Sequence, residues 1–282
     1  MKTIKLNNGI EMPQIGYGVY QINPSEVQRC VEDALSVGYR MIDTAQAYHN
    51  EQGVGQAIKN SSVDRKDIFI VSKIWLNNYG YEKAKCSIDE SLKNLQTNYI
   101  DLMLLHQPFC DYYGAYRAME EAYKEGKLRS IGVANFYADR FIDLATNVEI
   151  APAVNQVEMH VFFQRADIQK YMQPFGTAIM SWGPFAEGRN NFFNNEVLKQ
   201  IGVKYNKGIA QTALRFLIQK GAIVIPKSTH KERMQENFDI FDFELSSEDM
   251  SKIEALETNT SLFMSHQDPE MVKQFMQWIN NV

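Results

Sequence analysis

Asp43, Tyr48, Lys73 and His106 are the residue types that could together deliver a proton to a carbonyl oxygen, and each stands at or just beyond a short apolar run. Met41-Ile42 leads into Asp43, and Tyr48 follows within Thr44-Ala45-Gln46-Ala47-Tyr48. Ile70-Val71-Ser72 leads into Lys73, and Met103-Leu104-Leu105 leads into His106. A phenol has an ordinary pKa of about 10, too high for efficient proton transfer at neutral pH. A neighbouring Lys73 ammonium would stabilise the phenolate and lower that value. Asp43 would keep the lysine charged and oriented. His106 would donate a hydrogen bond to the substrate oxygen while Tyr48 hands over its proton as negative charge develops there. No side chain supplies a hydride, so a nicotinamide cofactor is implied. Each residue alone has a plainer explanation: a helix cap for Asp43, a strand-end lysine reaching water for Lys73, a satisfied buried ring for His106, and packing for Tyr48. Their conjunction at successive strand ends favours the chemistry.

The elements that must position them are legible as alternation. Candidate strands are residues 15–18, 41–43, 68–73, 100–105, 130–134, 154–157, 178–182 and 223–226. Several are continuous apolar runs, as expected where both faces of a parallel strand are covered. Amphipathic stretches lie between them: 25–37 ending at Gly38, 83–95, and 114–124 followed by Gly126. Eight strand–helix units in 282 residues predict an α/β chain folded as one (β/α)8 (TIM) barrel over residues 1–282. A doubly wound sheet is the alternative; the lack of any composition break favours closure. Residues 3–6 and 10–12, joined by Asn7-Asn8-Gly9, predict an N-terminal hairpin. The polar stretch after Leu256 is expected to lie over the barrel mouth before a last helix over 269–279.

In such barrels the chemistry sits at the C-terminal strand ends. Those ends give Asp43, Lys73, His106, Asn135, Gln156, Trp182 and Lys227. Trp182 offers a flat face for a nicotinamide ring, and Asn135 and Gln156 are amides suited to its carboxamide. Gly16-Tyr17-Gly18-Val19-Tyr20-Gln21 begins like a dinucleotide fingerprint but lacks the third glycine. Gly18 and its neighbours Val19 and Tyr20 are instead expected to let the backbone approach the cofactor. Lys227, Ser228, Lys231 and Arg233 gather positive charge and hydroxyls at a predicted helix start. Such a start suits phosphate, and a 2′-phosphate on the adenine ribose favours NADPH over NADH.

Composition sets the limits. Hydrophobic residues are 45%, charged residues 22%, and the net charge is −5. That balance argues against nucleic-acid or membrane-surface partners. Three cysteines without a CxxC pair fit a reducing compartment, so a cytoplasmic protein is expected. No apolar run approaches the roughly 18 residues a membrane helix needs. No metal-ligand constellation is read, and with no coiled-coil pattern a monomer is expected.

At these residues the chain resembles the aldo-keto reductase family over nearly its whole length. Residues 38–48 and Asn50-Glu51-Gln52-Gly53-Val54-Gly55 are similar to that family's first signature. Asp43, Tyr48, Lys73 and His106 match its catalytic tetrad. Ile225-Pro226-Lys227-Ser228, with Arg233, Glu236 and Asn237, is similar to its third signature, which holds the adenosine 2′-phosphate and adenine. The resemblance implies NADPH extended across the mouth and carbonyl reduction by direct hydride transfer. It also implies that Trp182-Gly183-Pro184-Phe185 contacts the cofactor, and Tyr20, Trp75, Gln107 and Phe109 are expected to line the pocket for a small carbonyl substrate. Residues 105–109 and the tail His266-Gln267-Asp268-Pro269-Glu270 resemble a prokaryotic branch related to 2,5-diketo-D-gluconate and methylglyoxal reductases. Three departures stand out. Ala134 and Gly183 replace usual serines, and Gln107 replaces a frequent tryptophan. Losing the serine hydroxyl at 134 removes one cofactor hydrogen bond, a net effect of about 0.5–1.5 kcal/mol. Two other functions stay open at this point: a Schiff-base aldolase using Lys73, and a regulatory subunit that binds the cofactor without turning it over.

Overall fold

A computed structural model describes residues 2–280 of the chain. Ten strands run β1 Thr3–Lys5, β2 Glu11–Pro13, β3 Tyr17–Gly18, β4 Met41–Asp43, β5 Phe69–Ile74, β6 Leu102–Leu105, β7 Ile131–Ala134, β8 Val154–Glu158, β9 Ala178–Trp182 and β10 Ile223–Val224. β1 and β2 form the antiparallel hairpin. β3 to β10 pair in parallel, each with its sequence neighbour. The ring closes where Ile15 bridges Val224, with Gly16 N donating to Val224 O (2.9 Å) and Gly18 N to Pro226 O (3.2 Å). The chain is therefore an eight-stranded parallel barrel, as its alternating pattern predicts.

The helices are α1 Pro24–Val37, α2 Glu51–Asn60, α3 Tyr81–Asn94, α4 Tyr112–Lys124, α5 Ala138–Ala145, α6 Ala166–Met172, α7 Glu196–Lys204, α8 Ile209–Gln219, α9 Lys231–Phe238, α10 Ser247–Glu254 and α11 Pro269–Asn280. Local chemistry sets their ends. Asn23 caps α1 by accepting from Ser25 N, Pro24 opens it, and Gly38 at φ +124° ends it.

Side chains alternate between two cores along each strand. Met41, Phe69, Val71, Leu102, Leu104, Val154 and Met180 fill the barrel interior, whose floor is closed by Leu6 and Met12 of the hairpin segment. Ile42, Ile70, Met103, Leu105 and Val133 face outward into the larger core under the helices. This parity decides the site. Asp43, two positions past inward Met41, points inward; so do Lys73 after Val71, His106 after Leu104, and Gln156 after Val154. Register adds a climb: Asp43 pairs with Val71, and Lys73 with Leu104. Each next functional residue thus sits one layer higher on the next strand.

The segment after α10 crosses the mouth as expected. Ser261 Oγ and Leu262 N donate to Glu158 at the end of β8 (2.5 and 2.9 Å), and Phe263 meets Trp182 at the end of β9 (centroids 5.1 Å). His266 Nε2 then reaches Gln107 Oε1 (2.8 Å), just beyond β6.

Candidate active site

Lys73 is fully buried and Asp43 nearly so. Lys73 Nζ donates to Asp43 Oδ1 (2.7 Å), to Thr44 O (2.8 Å) and to Tyr48 Oη (3.3 Å). These three acceptors use the three donors of an ammonium. Asp43 Oδ2 accepts from Gln156 Nε2 (2.7 Å), so both carboxylate oxygens are held. Asp43 is no helix cap: it follows an inward strand position and faces the lysine.

Tyr48 comes from a short 3-10 turn, Gln46–Tyr48, directly after β4. Its ring lies against Tyr20 (4.9 Å) and edge-on to His106 (5.7 Å). Lys73 beside the phenol does not set the net direction of the Tyr48 pKa. Burial, then the negative charge of Asp43 and the neighbouring Tyr20, push the phenol well above the ordinary value. The reason is compensation: the lysine charge is matched by Asp43 at 2.7 Å, while a buried phenolate would be poorly solvated. Burial also lowers the Lys73 pKa, opposed by Asp43. The phenol therefore keeps its proton at neutral pH.

His106 is neutral at neutral pH. Burial, then Lys73 and His266, hold its pKa well below the usual histidine range. Trp75 meets its ring edge-on at 4.9 Å.

Several residues expected at the cofactor also bond within the protein. Gln156 gives an amide N–H to Asp43. Asn135 donates to His106 O (3.0 Å) and accepts from Trp182 Nε1 (2.8 Å). These amides and the indole are thus tied into the wall of the mouth. Gly18 sits where the barrel closes, and a Cβ there would lie a tight 3.0 Å from Ile225 O. Val19 is buried in the outer core, its N–H bonded to Asp43 O and its carbonyl to Asn50 Nδ2. Only Tyr20 of that trio is half exposed, at 52%. Gly183 has φ +62°, a conformation in which serine is strained, which accounts for glycine at that position. Pro184 is buried, and Phe185 packs on Phe192 (5.7 Å).

Lys227 and Arg233 are exposed and, among the described residues, have no acidic partner; Lys231 leans toward Asp33 (3.5 Å). Ser228 is buried, its Oγ accepting from His230 N (3.0 Å) at the start of α9. Glu236 is exposed and Asn237 buried on that helix.

In the pocket region, Tyr20 and Trp75 flank Tyr48 and His106. Gln107 and Phe109 instead meet the tail: Gln107 holds His266, and Phe109 stacks on the His266 ring (6.0 Å) and touches Phe275 (5.4 Å). A cleft of about 470 Å³ lies beside Phe109, Asn135, Tyr137 and His266. Glu158, Phe263 and His266 carry no role in the sequence reading. Glu158 could have been found by parity, two positions beyond inward Gln156. No periodic signal marks the tail residues.

The fold and this cluster define a parallel (β/α)8 barrel that gathers a buried Asp–Lys pair, a tyrosine and a neutral histidine at its mouth. The chain belongs to the Aldo/keto reductase family, whose sequence profile matches residues 6–258. It is 46% identical over 256 residues to a glyoxal reductase of Bacillus subtilis (strain 168), covering 90% of this chain and 92% of the relative. It is 40% identical over 262 residues to methylglyoxal reductase DkgA of Escherichia coli (strain K12), covering 92% and 94%. Among solved structures, a Bombyx mori aldo-keto reductase in complex with NADP matches with a TM-score of 0.88 at 32% identity, covering 96% of each chain.

Proposed function

We propose that this chain, as one barrel domain over residues 1–282, reduces aldehydes or ketones to alcohols with NADPH, Tyr48 being the proton donor. The observation that carries this reading is the buried Lys73 ammonium donating to both Asp43 and Tyr48 beside a neutral His106.

The residues present fit the cofactor. Lys227 and Arg233 are exposed cations without acidic partners among the described residues, next to the hydroxyl of Ser228 at the start of α9. That donor set suits a phosphate monoester. Trp182, Asn135 and Gln156 stand at the strand ends where a nicotinamide would lie, and Gly183, Pro184, Phe185, Glu236 and Asn237 are proposed to complete the contacts. NADPH, when bound, supplies the hydride.

The protein's own groups manage the oxygen. The substrate carbonyl sits between Tyr48 Oη and His106. As a neutral imidazole, His106 offers an N–H without itself losing charge. Tyr48 gives its proton to the oxygen as negative charge builds there. Lys73, fixed by Asp43, faces the phenolate that remains and stabilises it. A Schiff-base role for Lys73 is less well supported, because a carboxylate partner at 2.7 Å favours the charged amine.

The relatives named for glyoxal and methylglyoxal reduction make small 2-oxoaldehydes the first substrates to try. We propose a cytoplasmic monomer. Among the described residues all three cysteines are free, and no helix is long and apolar enough to cross a membrane. The test follows NADPH absorbance with methylglyoxal and 4-nitrobenzaldehyde, NADH in parallel. Turnover that Tyr48→Phe abolishes is expected. A wild-type rate in Tyr48→Phe would overturn the proton-donor assignment, and tight NADPH binding without turnover of any carbonyl would favour a regulatory subunit.

A further inference from the structure

Gln46 stands two residues before Tyr48 and uses both ends of its amide on other elements. Its Oε1 accepts from Trp75 N (3.0 Å) and Asn78 Nδ2 (2.9 Å). Its Nε2 donates to Ser87 O and Ser91 Oγ of α3, both at 3.1 Å. Trp75 N belongs to the segment that carries Lys73 two positions earlier. On the other flank, Thr44 Oγ1 donates to Asn50 Oδ1 (2.8 Å), and Asn50 Nδ2 donates to Val19 O (3.0 Å). The turn bearing Tyr48 is thus fastened on both sides. Of these two side-chain fastenings, the Gln46 one runs to the residue just beyond the strand that bears its proton partner.

We propose that Gln46 is a positioning residue for Tyr48: it fixes the turn against the end of β5 and so sets the Tyr48–Lys73 approach of 3.3 Å. The other bonds from this stretch to β5 are Thr44 N to Val71 O (2.9 Å), before the turn begins, and Lys73 Nζ to Thr44 O (2.8 Å) and Tyr48 Oη (3.3 Å), the approach being positioned; a three-residue 3-10 turn has little rigidity of its own. A loosened turn lets the Tyr48 ring swing toward solvent, out of line with Lys73 and His106. Misplacement on that scale lowers a rate without removing any reacting group. This rests on the reductase reading for its kinetic consequence, but not for its structural one.

The test uses the full chain with Gln46→Met, which keeps the length of the side chain and removes all four hydrogen bonds. The second variant is Gln46→Ser, which leaves room for water to satisfy Trp75 N and Asn78 Nδ2. Ser91→Ala is the control, because it loses only part of the α3 side. With NADPH and methylglyoxal, kcat is expected to fall about 10- to 100-fold in whichever Gln46 variant folds. KM for NADPH should stay put, and Ser91→Ala should remain near wild type. In the cofactor-free protein with ring-labelled tyrosine, the Tyr48 resonance, assigned by its loss in Tyr48→Phe, should titrate at lower pH in the Gln46 variants, moving back toward the ordinary value as the ring gains water. A folded Gln46 variant with unchanged kcat and an unmoved Tyr48 titration overturns the proposal. If the wild type turns over no carbonyl, the reductase reading fails, while the Tyr48 titration still decides the role of Gln46.

Discussion

Gln156 and Asp43 lie 113 positions apart in the chain and meet at 2.7 Å, the amide donating to the carboxylate oxygen that Lys73 leaves free. The contact spans the barrel interior from β8 to β4. It makes the buried Asp43–Lys73 pair a three-residue unit and fixes the carboxylate plane that aims the ammonium.

Removing that donor should be felt as stability. Gln156→Leu leaves Asp43 Oδ2 buried without a partner, a cost of about 1–3 kcal/mol. Asp43→Ala is worse, because Lys73 then holds an uncompensated buried charge, at about 3–5 kcal/mol. Urea unfolding midpoints measure both, with Asp43→Ala expected to be the less stable. Adding Lys73→Met to Asp43→Ala should recover part of the loss; no recovery would mean the damage is one of packing, not charge.

The raised Tyr48 pKa has a direction that kinetics can read. Reduction needs the phenol, which persists up to that pKa, so kcat for reduction should stay flat through neutral pH. Alcohol oxidation needs the phenolate, so its rate should climb with pH across the same range. Paired pH profiles with NADPH and with NADP+ would show it. An oxidation rate that levels off below about pH 8 would mean that Lys73 does lower the phenol pKa when cofactor is bound.

Lys227 and Arg233 should discriminate between cofactors. Replacing either by alanine is expected to raise KM for NADPH by about tenfold or more, the value of one charge-assisted contact. KM for NADH, which lacks the 2′-phosphate, should scarcely change. Equal losses with both cofactors would move the phosphate site elsewhere.

His266 should make the tail acid-sensitive. Burial, then nearby Arg165, opposed by Glu158, holds its pKa at about 4. A base whose folded pKa is depressed contributes stability above the unfolded value of about 6.5, and loses it as pH falls toward about 4. The full difference is roughly 3 kcal/mol. Thermal midpoints should therefore drop across that window, and His266→Asn should flatten the slope. A slope unchanged by the substitution would show that another group titrates there.

Much of this was readable in advance, for identifiable reasons. Strand order and the barrel follow from short apolar runs that recur with helical stretches between them, a signal repeated eight times. The convergence of Asp43, Lys73 and His106 follows from period-two parity, which needs only Met41, Val71 and Leu104 to be inward. What escaped depends on single contacts. Gly18, expected to let the backbone approach a ligand, also passes close to the Ile225 carbonyl. Val19, expected beside the cofactor, has its side chain in the outer core. The net upward direction of the Tyr48 pKa comes first from burial and then from Asp43 and Tyr20, surroundings the sequence does not display. The tail path is fixed by Glu158–Ser261 and Gln107–His266, pairs far apart in sequence with no periodicity to announce them.

The parity of the strands also bears on which length changes this gene can survive. One codon inserted between Val71 and Lys73 would turn the lysine outward into the layer under the helices, and the barrel would persist with an empty place beside Asp43. The same insertion in the loop before β5 would leave every inward position inward. Length variation should therefore be tolerated upstream of the strands and purged within their last few residues, so the spacing from Met41 to Asp43, from Val71 to Lys73 and from Leu104 to His106 is as heritable a feature of the site as the residues themselves.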